Sequence, residues 1–488
     1  MFSFIISILA LVLGYLIYGR IVERIFRPDA SRLTPAVSME DGVDYIPMPT
    51  WKVFMIQFLN IAGTGPIFGA IMGAKFGPSC YLWIVLGCIF AGGVHDYFSG
   101  MLSMRKKGAT LPEIVGSEFR WGSRTVIIIF TTIVLLMVGA VFVYSPALIL
   151  GDLAGDGSAT AMLIWAGVIL VYYIIATLLP VDKIIGKIYP LFAFALLFMA
   201  ASLFVCLLVK WPSIPEIWDG LQNRAPSVGV KGQSIFPCLF ITVACGAISG
   251  FHGTQSPMMA RCLKNERLGR PIFYGAMIVE GVVALVWAAV SSYFFFDGGM
   301  AECGLQSASA PQVVTAISKH WLGVVGSILA ILGVVAAPIT SGDTALRGAR
   351  LNIADFFHLR QDKVVNRLLV SIPIFVAVGL LLWLNFAHED GFNVIWRYFG
   401  LSNQLLSVFM LGAATVYLVR AYPRGWQFLI TGLPAIFMFT VCLTFICVDK
   451  TCIGLPMEWT PWIAPLWTLL ATLQLVTWVS SEKRKTRR

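Results

Sequence analysis

With 488 residues, 58% of them hydrophobic and only 12% charged, the chain carries more apolar surface than a water-soluble fold of its size could hide. Its charges collect in short hydrophilic gaps between long apolar runs, the pattern of many membrane spans rather than of one core. The net charge of +10 then reads as basic loops on the cytoplasmic side of a bilayer and does not argue for nucleic acid.

Taken in chain order, thirteen spans are predicted, at about 2–18, 53–76, 79–104, 125–150, 159–179, 189–209, 235–260, 272–296, 322–345, 368–385, 393–419, 427–448 and 461–480. The first is not a signal peptide, because its positive charges (Arg20, Arg24, Arg27) follow the apolar run instead of preceding it. That order places the N-terminus outside. Basic clusters follow spans three (Arg105, Lys106, Lys107), five (Lys183, Lys187), seven (Arg261, Lys264, Arg267, Arg270), nine (Arg347, Arg350) and eleven (Arg420, Arg424), and the tail after span thirteen is basic too. All fall after odd spans and so share one side, which puts the C-terminus in the cytoplasm. The acidic loop 151–158 falls on the other side.

Spans two and seven are interrupted. Span two carries IAGTGP at 61–66, and span seven carries GAISGFHGTQSP at 246–257. Glycine weakens a helix, and proline removes an amide donor and pushes its predecessor out of the helical region. Lipid tolerates such backbone only where protein buries it or a cavity solvates it. One such cluster would read as a kink. Two, five spans apart and entering from opposite sides, predict an inverted repeat of five plus five spans with binding at the discontinuous helices. The all-α polytopic chain then divides into 1–52, a first helix and cytoplasmic linker; 53–209, one repeat; 235–419, the other; and 427–488, two peripheral helices and a basic tail.

Few ionisable groups lie within the spans, and each is costly there unless paired or solvated. His252 sits in the second break, where an imidazole could meet both substrate and water and exchange protons. Glu280 is a carboxyl inside an apolar helix, suited either to carrying a proton or to holding a polar neighbour. Asp96, beside His95, and Asp343 lie nearer the cytoplasmic ends and read as gating or structural partners. Thr340 and Ser341 offer hydroxyls for a sodium ion, or bond back to their own helix. Gly63, Thr64 and Gly65 at the first break, Ser249, His252, Thr254 and Gln255 at the second, and Asn403 and Gln404 in span eleven are the candidate substrate contacts. Second half-helices starting near Thr64 and near Thr254, with Pro66 and Pro257 in their first turns, would aim positive ends at the midplane and favour a carboxylate there. The ten cysteines show no zinc spacing, and most read as small hydrophobes. Cys303 and Cys452 fall in outer loops, and a disulfide between them is left open.

DGVDYIP at 41–47, the IAGTGP break, AGGVHDY at 91–97, FITVACGAISGFH at 240–252, the stretch 340–355 and YFGLSNQ at 398–404 together resemble the carbon starvation protein family, CstA. The resemblance implies a bacterial inner-membrane carrier with a LeuT-like core. It implies uptake of pyruvate or small peptides during carbon starvation, commonly driven by protons, with no cofactor. Shorter loops after spans eight and thirteen, and QSP at 255–257, depart from the longer members and leave the substrate open. Sodium coupling is the nearest alternative. An intramembrane serine protease built on Ser249 and His252 is a distant one, because AISG lacks the first glycine of a G-x-S-G motif.

Overall fold

The computed structural model describes residues 1–42, 44–119, 123–154, 158–178, 181–359, 363–387 and 391–485. Val43, residues 155–157 of the acidic stretch 151–158, the side chains of Lys183 and Lys187, and the last three residues of the basic tail lie outside that description. Among the described residues the chain is all-helical. The long elements are α1 (Phe2–Phe26), α2 (Thr50–Ala62), α3 (Ser79–Arg105), α4 (Ser123–Ala154), α5 (Ala159–Leu178) and α6 (Val181–Lys210). They continue with α7 (His252–Ala260), α8 (Glu266–Phe296), α9 (Ala310–Phe356), α10 (Val364–Phe386), α11 (Gly391–Ala421), α12 (Leu429–Val448) and α13 (Thr460–Lys485). Eleven of these are long and apolar enough to cross a bilayer by themselves. The bent pair Thr50–Ala62 and Gly65–Ala74, angled at 51°, makes a twelfth if it is one span. Residues 235–260 do not pass as a continuous helix, because Ile235–Leu239 and Phe240–Thr242 are separated from α7 by nonhelical backbone.

The centre is made by α3, α8 and α9, which are buried over most of their length, with α4 and α6 packed along α9. α1, α5, α10 and α13 turn large apolar side chains outward: Ile17, Ile164, Val376 and Trp462 are exposed. Exposed apolar faces on helices of this length are what a lipid-facing shell requires.

One end of the bundle gathers the basic loops. Arg105 lies 3.4 Å from Glu266, and Arg32 lies 3.5 Å from the same carboxylate. Lys106 and Arg420 both pair with Glu118, at 2.8 and 3.0 Å, and Arg270 pairs with Glu23 at 2.8 Å. At the other end Glu216 accepts from the amides of Phe2 and Ser3, at 2.9 and 2.7 Å, and so supplies the anion that the open N-terminus of α1 favours. Burial works against the Glu216 charge, but bonds from the N-terminal ammonium and from Ser3 outweigh it and hold the carboxyl below its usual range. Arg397 and Asp449 pair at that same end.

α9 differs most from its predicted span of 322–345. A segment capped at Ser309 and Gln312 precedes the span, Gly323, nonhelical at φ of 65° and ψ of −166°, separates the two near the predicted start, and the span itself runs on to Phe356. Arg347 and Arg350, expected in a loop, stay helical and buried; Arg347 donates to the Ala176 carbonyl at 2.9 Å. Cys303 and Cys452 are both free thiols.

Candidate functional site

The two breaks meet. Gly63 turns the chain after α2 with φ of 39° and ψ of −143°, a region that side-chain-bearing residues avoid. A π-helical turn follows at Gly65–Gly69. A Cβ on Gly65 would stand 1.9 Å from the Cβ of Cys245, and one on Gly69 would stand 3.2 Å from the Thr242 carbonyl. Gly246, with φ of 89°, lies against Pro66 and Ala284. The absence of side chains at 65 and 69 is therefore what lets the first break reach the second.

In the second break the chain leaves its helix at Val243 and resumes at His252. α7 begins two residues earlier than the predicted Thr254, so Pro257 lies in its interior. The Thr254 hydroxyl donates to the Phe251 carbonyl at 2.7 Å, and this back-bond keeps it from capping the helix. The opening amides of α7 are also occupied. His252 N donates to Ser249, Gly253 N to Gly250 and Thr254 N to Phe251, all to carbonyls at 2.9–3.2 Å. The expected free positive end is thus absent from this half-helix. Thr64 makes no capping bond at the first break, and its buried hydroxyl has no partner among the described residues.

A chain of buried ionisable groups runs through this junction. His252 Nδ1 lies 2.9 Å from Asp96 Oδ2, and His252 Nε2 lies 3.5 Å from Glu280 Oε2. Asp96 Oδ1 lies 2.8 Å from His95 Nδ1. The Gly246 amide donates to Glu280 Oε1 at 3.0 Å. All four side chains are fully buried. Charges so placed persist only when paired, and α3, α7 and α8 each supply a partner. Arg105, near Asp96 in sequence, turns away to Glu266 and to the Tyr417 hydroxyl.

α11 clamps the break from the other side. Asn403 Oδ1 accepts from the Phe251 amide at 2.6 Å, and Asn403 Nδ2 donates to Ser249 Oγ at 2.8 Å. Gln404 Nε2 donates to the carbonyls of Phe240 and Ala244 at 3.1 and 3.4 Å. Gln255 Nε2 donates to Thr254 Oγ1 at 2.9 Å. Ser249 is thus held by Asn403, and also by Cys245 at 3.3 Å, while His252 is held by carboxylates. No hydrogen bond joins the Ser249 hydroxyl to the His252 imidazole among the described residues, so the pair lacks the geometry of a serine nucleophile and its base.

Other candidates lie beside the junction. Ser341 donates to the Leu59 carbonyl at 2.9 Å, at the end of α2. Thr340 bonds back to Ala336 and Ala337 in its own helix. Asp343 accepts from the Tyr189 hydroxyl at 2.8 Å, away from His252. Sequence reasoning passed over Cys245 and the Asp96 link between two histidines. The glycine at 65 was the available signal for Cys245, but only the folded chain shows what that glycine faces.

The family model described as carbon starvation protein CstA matches residues 1–164, 151–322 and 298–445. An uncharacterized membrane protein of Haemophilus influenzae is 46% identical over 60% of this chain and 91% of its own length. The peptide transporter CstA of Escherichia coli is 25% identical, covering 87% of this chain and 78% of that protein. The pyruvate/proton symporter BtsT of the same organism is 28% identical over 56% of this chain and 46% of that protein. Among solved structures, an Eremococcus coleocola manganese transporter superposes with a TM-score of 0.55 at 13% identity, over 92% of this chain and 99% of that one. At that identity the likeness is one of fold.

Proposed function

We propose a function from one established premise: the chain belongs to the carbon starvation protein CstA family. It is a secondary active transporter, a proton symporter that imports a small carboxylate nutrient, pyruvate or a short peptide, across a bacterial inner membrane. The observation that carries this reading is the buried His95–Asp96–His252–Glu280 chain at the junction of the two breaks. Carriers of this kind hold substrate and coupling ion where their discontinuous helices meet, and a proton carried there needs a titratable group to hold it. The relatives named as a peptide transporter and as a pyruvate/proton symporter support the same class.

We read the architecture as thirteen spans, with residues 235–260 as the span that helix length alone does not count. Spans two to six and seven to eleven form a LeuT-like pair of inverted repeats, 53–209 and 235–419. The N-terminus lies outside, and the end that gathers the basic clusters lies in the cytoplasm.

With the opening amides of α7 occupied, the preference for a carboxylate rests on an outer vestibule instead of on the helix termini. A cavity of about 460 Å³ at the outer end is lined by Lys75, Lys231, Arg397 and Lys450 against the single carboxylate of Asp449, and it reaches down to Ile241 and Thr242 beside the second break. Four cations around such a cleft concentrate anions by long-range attraction. Gly63, Thr64, Gly65, Ser249, Thr254, Gln255, Asn403 and Gln404 then line or shape the path below it. Sodium coupling is the second reading, and Ser341 on the Leu59 carbonyl is what favours it; the back-bonded Thr340 does not.

The test is uptake of labelled pyruvate and dipeptides into proteoliposomes under imposed proton or sodium gradients. Accumulation driven by the proton gradient, with competition by free acids and weak competition by pyruvate methyl ester and C-amidated dipeptides, is the expected result. Accumulation driven by sodium alone would defeat the proton reading. Equal competition by esters and amides would defeat the carboxylate.

A further inference from the structure

Cys245, His252 and Glu280 converge from the nonhelical part of the second break, from the first turn of α7 and from the middle of α8. One ligating atom from each (Sγ, an imidazole nitrogen and a carboxylate oxygen) lies within 4.8 Å of the others. All three side chains are buried. His252 Nε2 and Glu280 Oε2, 3.5 Å apart, have no hydrogen-bond partner among the described residues.

The other faces of the three groups are each held. Asp96 fixes His252 through Nδ1 at 2.9 Å, which leaves Nε2 turned toward the cluster. The Gly246 amide fixes Glu280 through Oε1 at 3.0 Å, which leaves Oε2 turned toward His252 Nε2. Asn403 Nδ2 donates to Cys245 Sγ at 3.5 Å, and that sulfur also donates to Ser249 Oγ at 3.3 Å. A histidine backed by a carboxylate, beside a second ligand oriented through its far atom, is how outer partners prepare ligands for a metal.

We propose that Cys245, His252 and Glu280 form a binding site for a thiophilic divalent cation of the Zn²⁺ class. The donor set decides the class. Thiolate, imidazole and carboxylate together suit Zn²⁺, Co²⁺ or Cd²⁺, whereas Mg²⁺ and Ca²⁺ require oxygen donors throughout. Thiolate and carboxylate balance the two charges of the ion, so the ion and its three ligands together carry no net charge in a buried setting. Binding releases the thiol proton and any proton shared between His252 and Glu280, so affinity rises with pH. An ion there ties the second break to α8. The inference goes beyond the proposed function but shares His252 and Glu280 with it, so proton and cation compete for the same atoms.

The experiment uses the purified full chain in detergent, stripped with chelator and titrated with Co²⁺ while the thiolate-to-cobalt charge-transfer band and the visible d–d bands are recorded. One saturating equivalent, displaced by Zn²⁺, is expected. Cys245→Ser should lose the charge-transfer band while still eluting as a single species. Glu280→Gln should keep that band but weaken binding. Asp96→Asn, which removes a positioning residue, should weaken binding by about 10–100-fold. Cys452→Ser, at an exposed thiol, should change nothing. A band that survives in Cys245→Ser, or no saturable binding by well-folded wild type, overturns the site. If Cys245→Ser does not fold, unchanged affinity in Glu280→Gln and Asp96→Asn overturns it equally. The assay needs no transport. Proton-driven uptake without a cobalt band sinks only the metal site, and a cobalt band without proton-driven uptake sinks only the coupling.

Discussion

At the first break the chain turns on Gly63 and closes on its neighbours through positions that lack a Cβ, whereas the second break, 243–251, is lined by Cys245 and Ser249 and is held by side chains from α8 and α11. The two segments occupy related places in the sequence, but they do different work. The first supplies shape: its close approach to Cys245 and Thr242 depends on glycine at 65 and 69. The second supplies chemistry, because Glu280, Asn403 and Asp96 all direct polar atoms at it or at the start of α7. A mechanism that moves one segment against the other would thus move a smooth backbone surface past a titratable one.

The sharpest way to break this contrast is to give the first break a side chain. Gly65→Ala places a methyl 1.9 Å from the Cys245 Cβ, an overlap that no rotamer relieves. Overpacking of this kind costs about 1–3 kcal/mol or more, and loss of uptake with a lowered melting temperature is expected. Combining Gly65→Ala with Cys245→Gly removes the opposing atom and should restore part of both. Gly348→Ala, which among the described residues meets only Leu135 at 3.4 Å, is the tolerated control. If Gly65→Ala transports like wild type, the breaks do not depend on that contact.

Next in size are the titratable groups of the second break. His252→Ala and Glu280→Gln should abolish accumulation driven by a proton gradient while leaving substrate exchange at equilibrium measurable. That split separates lost coupling from lost binding. Equal loss of both activities would mean that these side chains only hold the junction together. His95→Ala, one step further along the chain through Asp96, should shift the pH profile of uptake and leave its maximum near wild type.

Asn403 tests how far the second break depends on its clamp. Asn403→Ala strips acceptors from the buried Phe251 amide and from Ser249, at a cost of about 1–3 kcal/mol for unsatisfied buried groups. A fall in melting temperature with a retained proton requirement is the expected outcome. An unchanged melting temperature would show that the break keeps its shape without α11.

Much of this arrangement was legible from residue types. The glycine and proline clusters located both breaks, and the rarity of ionisable groups in apolar runs singled out His252, Glu280 and Asp96. Pairing was not legible. Arg105 is nine residues from Asp96 and on the same helix, so sequence proximity favoured it, yet His252 arrives from α7 and takes the Asp96 carboxylate. Helix starts were misjudged where a hydroxyl had two choices. Thr254 looks like a cap, but its bond to the Phe251 carbonyl shows that α7 was already under way. Arg347 and Arg350 looked like a loop because they are charged, yet α9 buries them. In each case the local signal was real, and a partner distant in sequence decided its use.

The smallest expected effect falls at Thr64, where the contrast between the two breaks can be refined. Its hydroxyl is buried, caps nothing and has no partner among the described residues, and it stands at the hinge between Gly63 and the π-helical turn. Valine has nearly the same shape. Thr64→Val therefore removes one oxygen without breaking a hydrogen bond of the fold, and the melting temperature should stay level or rise slightly. If the first break contributes only backbone to transport, KM and the maximal rate will both stay within about twofold of wild type, a difference of under ~0.5 kcal/mol. If instead the hydroxyl meets the substrate, KM will rise with the melting temperature unchanged. That outcome would make Thr64 the first break's one side-chain contribution and would overturn its description as shape alone.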